Sequence, residues 1–356
     1  MAAAGVGLLV VDGQIGSVQR VTIAGEGQLT KVDDADVEPL TLLIVGVDNA
    51  SGLAAEDSVL IGRDPTSMLT DTILLVRVDP GTGVVNVMSV PRDLWVTISG
   101  TGTQGKINSA MSIGGPSALV GTIKETLGVD VNHFVQVNFS GFRNAVDAIG
   151  GVPLVFDTPV RDINSGLAIE EPGCFTLDGQ QALSFVRSRY YEAKQGDVWL
   201  SDPLSDRSRV QRQQLFVRAA VVQAIRQGAR NPVQLRLLFD SVKDDIILDD
   251  TLTVGRLFGV GDQLRGASAE TLAFFTLPTV DGWAGAAAVL YLLPDAPAVV
   301  AAFNDTTLRL VPVAPDGSGV RDPFSDYPAT TVPEPPAGEP DTSPFVPRVP
   351  STETCI

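Results

Sequence analysis

The amino-acid sequence predicts an α/β fold, an α-β-α sandwich with a central mixed β-sheet. Residues 41–47 form a continuous apolar run of strand length, which is typical of a strand covered on both faces. Residues 71–78 and 84–90 are two further apolar runs joined by a short turn with proline and glycine, a pattern that indicates a β-hairpin. Helical and strand patterns then alternate up to about residue 306, so both kinds of element are expected to share a core.

The composition excludes several classes of site. The chain has 356 residues, of which 44% are hydrophobic and 19% charged, enough for one large domain or two ordinary ones. Its formal net charge of −17 argues against nonspecific binding of nucleic acid, since that requires many cations facing phosphates. A single histidine and two widely separated cysteines offer neither a Cys/His zinc site nor a Ser-His-Asp triad.

The two cysteines and the histidine are expected to have structural roles and no catalytic ones. Cys174 and Cys355 can form a disulfide in an oxidising compartment, but Cys355 lies in a C-terminal tail that need not be held near Cys174. His133 lies in a strand-like stretch, where a structural role is expected.

The N-terminal ten residues are almost wholly apolar. They are too few to cross a bilayer as a helix, which takes ~20 residues. No basic segment precedes them and Asp12 follows closely, so they do not fit a complete signal peptide either. We expect residues 1–37 to be the distal part of a membrane anchor and a polar connector, with a buried N-terminal strand or helix as the alternative.

Three elements are expected in the middle of the chain. Residues 117–127 are predicted to form a helix after a Gly-Gly-Pro sequence. Residues 134–139 alternate between apolar and polar side chains, as a strand does. Ser140 can cap a short helix that stops at Gly150 and Gly151.

Two later helices carry many of the charged residues. Asp178 and Gln181 form a capping-box pattern that opens the first of them. The second is predicted to begin at Ser205 or Asp206 and to run to about Gln227, with one apolar face and one polar face. The chain then becomes rich in Pro, Ser, Thr, Asp and Glu. The folded domain is therefore expected over residues 38–306, and residues 307–356 are predicted to be a disordered tail.

Acidic residues lie at the ends of the predicted strands. Asp48 ends the first strand, and Asp71 begins the next. Two such acids can supply carboxylate oxygens to Mg²⁺, which usually keeps several waters and takes its other ligands from substrate phosphate. Asp93 or Asp206 would act as a base or hold nearby cations in place. Taken singly, an Asp at a strand end is more often a turn former.

Arginines cluster along the same segments of this acidic chain. Only five of the 25 basic residues are lysines, and the candidate arginines are Arg92, Arg187, Arg189 and Arg209. A guanidinium group binds phosphate through a planar fork and stabilises charge that develops in a transition state. A GC-rich genome accounts for the number of arginines but not for their clustering. The clustering predicts a site for a phosphorylated substrate and a divalent metal, completed on the helix by Gln213.

Eight ordered segments resemble the LytR-CpsA-Psr (LCP) family of bacterial cell-wall enzymes. The resemblance covers roughly residues 38 to 306, in a chain whose composition is typical of an actinobacterial source. The segments that carry it are 41–48, 70–75, 87–93, 106–110, 137–142, 147–152, 177–189 and 206–214.

The resemblance implies an enzyme that attaches a glycopolymer, carried on polyprenyl pyrophosphate, to peptidoglycan through a phosphodiester. A side activity that hydrolyses the lipid pyrophosphate is also expected. The enzyme would be anchored in the cell membrane with its catalytic domain, residues 38–306, on the extracytoplasmic side.

The resemblance also assigns roles to individual residues. Mg²⁺, or alternatively Mn²⁺, would be held by Asp48 and Asp71. The pyrophosphate site would comprise Arg92, Arg187, Arg189, Asp206, Arg209 and Gln213. An apolar tunnel for the polyprenyl chain is expected between sheet and helices, lined by Phe134, Phe139, Phe142, Val146 and Phe156 unless these are ordinary core residues.

The sequence departs from the family pattern at two places. Leu69 stands where the family commonly has arginine, and Asn49-Ala50 follows the first acid in place of Ser-Arg. Arg63 in the same loop is a candidate to replace a lost phosphate contact. Two alternatives follow: a polyprenyl-pyrophosphate binding or regulatory protein without turnover, and an unrelated phosphatase, which would have a polar pocket instead of an apolar tunnel.

Overall fold

The computed structural model describes residues 18–31, 38–47, 70–203, 206–227, 232–253, 255–256, 259, 271–306, 345–350 and 355. The helices are α1 (Ala110–Leu127), α2 (Phe139–Ala148), α3 (Gly179–Arg187), α4 (Asp206–Arg226), α5 (Pro232–Val242) and α6 (Ala296–Asn304). The strands are β1 (Gln19–Val21), β2 (Leu40–Val47), β3 (Thr70–Val78), β4 (Val85–Ser89), β5 (Trp95–Thr97), β6 (Gln104–Lys106), β7 (His133–Val137), β8 (Val152–Phe156), β9 (Val160–Asp162), β10 (Leu167–Ile169), β11 (Gly173–Leu177), β12 (Glu192–Gln195), β13 (Val198–Ser201), β14 (Ile246–Asp249), β15 (Leu272–Thr276), β16 (Thr279–Ala284) and β17 (Ala287–Leu292).

A seven-stranded mixed sheet forms the centre of the fold, in the order β1-β14-β7-β2-β3-β4-β15. The predicted hairpin is present, because β3 pairs antiparallel with β4 and also with β2. Strand β7 runs parallel to β2, and β15 runs parallel to β4. The predicted α/β class with a central mixed sheet is therefore confirmed.

Side chains of the central strands alternate between two faces of the sheet, as the two-residue period of a strand requires. On one face Leu43 and Val45 pack in a core with Leu119 and Ile123 of α1 and with Phe303 of α6. The other face carries a smaller apolar cluster that includes Leu42, Ile44 and Leu74 together with Val221 of α4. The sheet thus has helices on both faces.

A second apolar core lies between α2, α3, α4 and the paired strands β8 and β11. Its aromatic rings meet edge to face or tilted: the centroids of Phe156 and Phe185 are 6.0 Å apart, and those of Phe185 and Phe216 are 6.4 Å apart. A four-stranded sheet in the order β10-β9-β12-β13 adjoins this core. This core sets the positions of α3 and α4 relative to the central sheet.

One helix start differs from the prediction, and one predicted helix is preceded by a further helical segment. Helix α2 begins at Phe139 because the side chain of Asn138, not Ser140, caps it by accepting a hydrogen bond from the Gly141 N–H. Helix α1 begins at Ala110 and is interrupted at Gly114 and Gly115, where Gly115 has a φ of +68°. The Gly-Gly-Pro sequence therefore separates two helical segments, and the predicted helix 117–127 lies in the second of them. The capping box at Asp178 is present as predicted.

Part of the tail that was predicted to be disordered is ordered against β8. Arg348 pairs with Val155 of β8 and forms an ion pair with Asp157 at 2.6 Å. A disulfide joins Cys174 of β11 to Cys355, with 4.9 Å between their Cα atoms. The low apolar content of the tail predicted disorder, but one ion pair, one disulfide and two apolar side chains at 345–350 hold this part in place. Residues 307–344 lie outside the described residues.

The predicted membrane anchor is not tested by this structure. Residues 1–17 lie outside the described residues. Among the helices of the described ranges, none is both long and apolar enough to cross a bilayer.

Arg212 of α4 is the largest completely buried side chain of the described residues. One terminal nitrogen donates to Asp202 at 2.7 Å, and the other donates to the carbonyl of Ser188 at 2.9 Å. Its guanidinium carbon lies 4.3 Å from the ring centroid of Tyr191. These contacts tie α4 to the chain that follows α3 and to the end of the β12–β13 hairpin.

We predict that Asp202→Ala lowers the free energy of unfolding by about 3–5 kcal/mol, because it leaves the buried Arg212 without its charged partner. Urea denaturation measures the loss. Asp157→Ala is the matched control, since it breaks the solvent-exposed pair with Arg348 and is expected to cost less than about 1 kcal/mol. Equal losses in the two variants would contradict the assignment of Arg212 as a structural residue.

Candidate active site

A cavity of about 300 Å³ lies between the central sheet and helices α2, α3 and α4. Its floor is the face of the sheet opposite α1, with Ile44, Leu74, Val87 and Phe274 pointing into it. These side chains belong to four neighbouring strands, so they form a continuous apolar surface. The apolar cavity lies where the tunnel between sheet and helices was expected.

The walls and roof of the cavity come from the three helices. Phe139 and Phe142 of α2, Leu183 of α3, and Phe216 and Val217 of α4 all line it. The ring centroids of Phe142 and Phe216 are 5.5 Å apart, which joins α2 to α4 above the sheet. These side chains give the cavity a continuous apolar lining opposite the sheet.

Polar residues from distant parts of the sequence converge on the same cavity. Asp71 lines it from the second position of β3, and Arg187 from the last position of α3. Arg189 lines it from the segment after α3, and Arg209 and Gln213 line it from α4. The guanidinium carbon of Arg187 lies 5.0 Å from the ring centroid of Phe139. One carboxylate and three guanidinium groups therefore share the cavity with its apolar lining, as the clustering of arginines predicted.

Arg92 joins this group through Asp71. It follows β4, while Asp71 begins β3, so the antiparallel pairing of the two strands brings them to the same edge of the sheet. Arg92 forms an ion pair with the Asp71 carboxylate, and its Nε lies 3.4 Å from Asp93. Arg92 is thus placed beside the cavity and bridges two carboxylates.

Asp93 holds cations and is poorly suited to accept a proton. Burial raises the pKa of this carboxyl, but the hydrogen bond from Lys106 and the nearby charges of Arg92, Lys106 and Arg209 outweigh burial, so its pKa lies below the usual range. The Lys106 ammonium lies 2.7 Å from the Asp93 carboxylate. Of the two roles considered from the sequence, the structure favours holding the cations.

Asp162 is a site-forming residue that the sequence analysis missed. Its buried carboxylate accepts hydrogen bonds from the Ser188 hydroxyl at 2.7 Å and from the backbone N–H groups of Arg189 and Tyr190, both at 2.9 Å. It also accepts from the backbone N–H of Asn164 in its own turn. This carboxylate fixes the segment that carries Arg189. Because the contact spans some 26 residues of sequence, no local pattern could have indicated it.

Two glutamines fix helix α4 against its neighbours. The Gln213 side chain donates to the carbonyl of Val186 at 3.0 Å, which sets the spacing between α4 and α3. The Gln214 side chain also lines the cavity and donates to the Thr276 hydroxyl at 2.6 Å, at the end of β15. Gln213 therefore has a positioning contact in addition to its place in the cavity wall.

Some predicted site residues are placed elsewhere or lie outside the described residues. Phe134 does not line the cavity, because side chains of β7 alternate and it points into the core against α1, whereas Val137 of the same strand lines the cavity. Val146 and Phe156 are part of the second core behind α2 and α4. Asp48 lies outside the described residues, and for Asp206 only the backbone at the start of α4 is described.

The cavity has one described carboxylate, Asp71, that could bind a metal ion whose other ligands come from a phosphorylated molecule and from water. No group of three or more His, Cys, Asp or Glu side chains with metal-binding geometry occurs in the described ranges. Mg²⁺ is commonly bound by one or two carboxylates, with phosphate oxygens and waters as its other ligands. Asp71 is one such carboxylate at the cavity, and its donor type fits Mg²⁺ or Mn²⁺.

Comparisons with known proteins agree with this geometry. The LytR_cpsA_psr family model matches residues 14–306. The probable cell wall biosynthesis protein LcpB of Corynebacterium glutamicum is 33% identical over 216 residues, which is 58% of this chain and 49% of that protein. TagU of Enterococcus faecalis, a polyisoprenyl-teichoic acid–peptidoglycan teichoic acid transferase, is 29% identical over 243 residues, which is 64% of this chain and 71% of that protein.

A solved structure supports the fold assignment. The LytR-Csp2A-Psr enzyme from Actinomyces oris superposes with a TM-score of 0.62 at 26% sequence identity, and the alignment covers 82% of this chain and 97% of that one. The chain spans about half the length of LcpB. The predicted family resemblance and fold are confirmed, and the LcpB match supports an actinobacterial origin.

We predict that Asp93→Asn destabilises the protein in a pH-dependent way. A carboxyl whose pKa is lower in the folded state contributes stability that is fully present above its unfolded pKa of about 3.9 and is lost as the pH falls through the folded pKa. The difference in Tm between wild type and variant should therefore be constant from about pH 5 to pH 7 and shrink below about pH 4. Thermal denaturation across this range measures it. A difference that grows in acid would contradict the lowered pKa.

Proposed function

Because the chain belongs to the LytR_cpsA_psr family, we propose that it transfers a glycopolymer phosphate from a polyprenyl-pyrophosphate carrier to peptidoglycan, forming a phosphodiester. The observation that carries the proposal is one cavity with an apolar interior and a group of guanidinium side chains. An apolar interior suits a polyprenyl chain, and the guanidinium groups suit its diphosphate. A polyprenyl pyrophosphate combines these two chemistries in one molecule.

The apolar interior argues against the phosphatase alternative. A phosphatase for soluble substrates was expected to have a polar pocket, whereas Ile44, Leu74, Phe142, Phe216 and Phe274 line this one. Removing a polyprenyl chain from contact with water would be favourable in proportion to the apolar area covered. Binding of the lipid would also bring its diphosphate to the arginines.

The arginines are proposed to act on the diphosphate. Arg187, Arg189 and Arg209 would bind nonbridging oxygens through charge-assisted hydrogen bonds. An acceptor hydroxyl would attack the phosphorus that carries the sugar and lose its proton to solvent, the bond from that phosphorus to the bridging oxygen would break, and polyprenyl phosphate would leave. Negative charge builds on this leaving group, and guanidinium groups already in position stabilise it without reorganisation. Hydrolysis follows by the same steps when water replaces the acceptor.

We propose that Asp71, with Asp48, holds Mg²⁺ or Mn²⁺. A bound divalent cation would neutralise charge on the phosphate oxygens as the phosphoester bond breaks. The position of Asp71 in the cavity wall supports this assignment. Arg92 and Asp93 would keep the Asp71 carboxylate in place.

The names of relatives and the disulfide support the wider proposal. TagU is named as a transferase that joins teichoic acid to peptidoglycan, and LcpB as a probable cell wall biosynthesis protein. A disulfide between Cys174 and Cys355 persists in an oxidising compartment, which fits an extracytoplasmic catalytic domain. The apolar residues 1–10 fit a membrane anchor. A polyprenyl-linked glycopolymer, peptidoglycan and the membrane are the proposed partners.

The second candidate is a polyprenyl-pyrophosphate binding protein without turnover. It is favoured by Leu69, which stands where the family commonly has arginine and lies outside the described residues. Incubation with a short-chain polyprenyl pyrophosphate, with and without Mg²⁺, separates the two. Metal-dependent cleavage supports the transferase, whereas binding without cleavage or transfer supports the alternative.

We predict that Arg187→Ala lowers kcat for this cleavage by about 10²- to 10³-fold, the cost of removing one preorganised group that stabilises developing charge. Arg218→Ala is the matched control, since Arg218 lies on α4 but is not part of the cavity lining. Steady-state kinetics measure both. A loss of the same size in the control would show that general charge, and not the placed guanidinium, is responsible.

We predict that Asp71→Asn raises the Mg²⁺ concentration needed for half-maximal rate by at least about tenfold, because a neutral amide is a weaker ligand for this hard cation than a carboxylate. A Mg²⁺ titration of the cleavage rate measures the change. Asp157→Asn, just after β8 and not part of the cavity lining, should titrate as wild type does. An unchanged titration in Asp71→Asn would remove Asp71 from the metal site.

A further inference from the structure

The β16–β17 hairpin is rooted beside the wall of the cavity. Strand β16 begins just after Thr276, whose hydroxyl accepts the hydrogen bond from Gln214 in the cavity wall. On the returning strand, the Leu290 N–H donates to the carbonyl of Asp93 at 3.0 Å, and Leu290 also pairs with Leu94. The hairpin therefore projects from between a cavity residue and the turn that carries Arg92.

The hairpin is largely apolar although much of it is exposed to water. Residues 279–293 read TVDGWAGAAAVLYLL and contain one charged side chain, Asp281. Trp283 is 71% exposed and Val280 47% exposed, and Tyr291 and Leu293 are also exposed. Exposed apolar patches of this kind mark interaction surfaces.

Apolar side chains project from both faces of the hairpin. Trp283 lies opposite Ala288, whereas Tyr291 lies opposite Val280. Val280 and Trp283 are an odd number of positions apart along the same strand, so the two aromatic rings stand on opposite faces. A saccharide or a rigid protein surface would cover one face, whereas a fluid lipid layer surrounds both.

The local structure of the hairpin is built around these aromatic side chains. A Cβ at Gly282 would come within 2.6 Å of the Tyr291 ring, so glycine is needed for the ring to lie across the strand. The Tyr291 hydroxyl donates to the carbonyl of Trp283 at 3.2 Å. Tyrosine and tryptophan, each with an apolar body and a polar end, are the side chains that favour the headgroup region of a bilayer.

We propose that the β16–β17 hairpin inserts into the headgroup region of a lipid bilayer and places the cavity mouth at the membrane surface. There a membrane-borne lipid pyrophosphate would enter the cavity without crossing water, so the inference rests on the proposed lipid substrate. The hairpin carries no cation, so its attachment to the bilayer would be apolar and not electrostatic. The protein is therefore expected to bind membranes of uncharged lipid, and to bind them at high salt as well.

The first test uses the full chain with Trp95→Phe and Trp199→Phe, which leaves Trp283 as the single tryptophan of the three. On addition of phosphatidylcholine vesicles, Trp283 emission should shift to shorter wavelength and be quenched by lipids brominated in the acyl chain, in low and in high salt. An unshifted, unquenched signal while the protein sediments with the vesicles would overturn the proposal. A shift produced by soluble peptidoglycan fragments and not by vesicles would overturn it in favour of a saccharide surface.

The second test compares Trp283→Ser with a control, Val233→Ser, which replaces a 64% exposed apolar side chain on α5. With a long-chain lipid pyrophosphate embedded in vesicles, Trp283→Ser should slow cleavage by on the order of tenfold, the scale expected from losing one buried aromatic side chain. With a short-chain, water-soluble substrate, Trp283→Ser should cleave as fast as wild type. The control should cleave both substrates as fast as wild type. Equal rates for Trp283→Ser and wild type on vesicles would overturn the proposal. If wild type cleaves neither substrate, the proposed function fails. The fluorescence experiment then still shows whether the hairpin inserts into the bilayer.

Discussion

The buried carboxylates of Asp162 and Asp202 are the constraint on which the arginine site depends. Asp202 pairs with Arg212 inside the protein, and Arg212 in turn binds the carbonyl of Ser188. Asp162 binds the Ser188 hydroxyl and the next two backbone N–H groups. The same short segment is therefore held from both sides by buried charged groups. Arginines brought close together repel one another, and a rigid support of this kind helps to keep Arg187 and Arg189 at one cavity.

The cavity itself follows from unequal covering of the two sheet faces. On the α1 side, Leu43, Leu75 and Met88 belong to a continuous core that leaves them fully buried. On the other side, α4 is held away by the second core, in which the rings of Phe185 and Phe216 pack together. Ile44, Leu74 and Phe274 on that face are then only partly buried. This spacing leaves the cavity of about 300 Å³ between the sheet and α4.

The local features of the fold could be predicted from the sequence, and the long-range ones could not. The apolar run of β2 and the capping box at Asp178 are local signals, and both appear in the structure. The lining residues were predicted poorly because a shift of one position along β7 moves a side chain to the opposite face, as for Phe134. Asp162 and the ordered part of the tail depend on contacts between distant segments, which no local pattern encodes. The convergence of the arginines could be predicted only because several separate segments carry side chains suited to binding the same phosphorylated substrate.

The charges around the cavity explain how an acidic protein can hold an acidic ligand. Asp93 interacts with three cations, Arg92, Lys106 and Arg209, and its pKa is lowered accordingly. A second carboxylate, Asp71, also pairs with Arg92, in a chain whose formal net charge is −17. The proposed diphosphate would be attracted to these cations only at short range, within about a Debye length of ~10 Å. The net negative charge of the chain gives such a ligand no long-range attraction, so its proposed delivery would rely on apolar contacts with the lipid it is attached to.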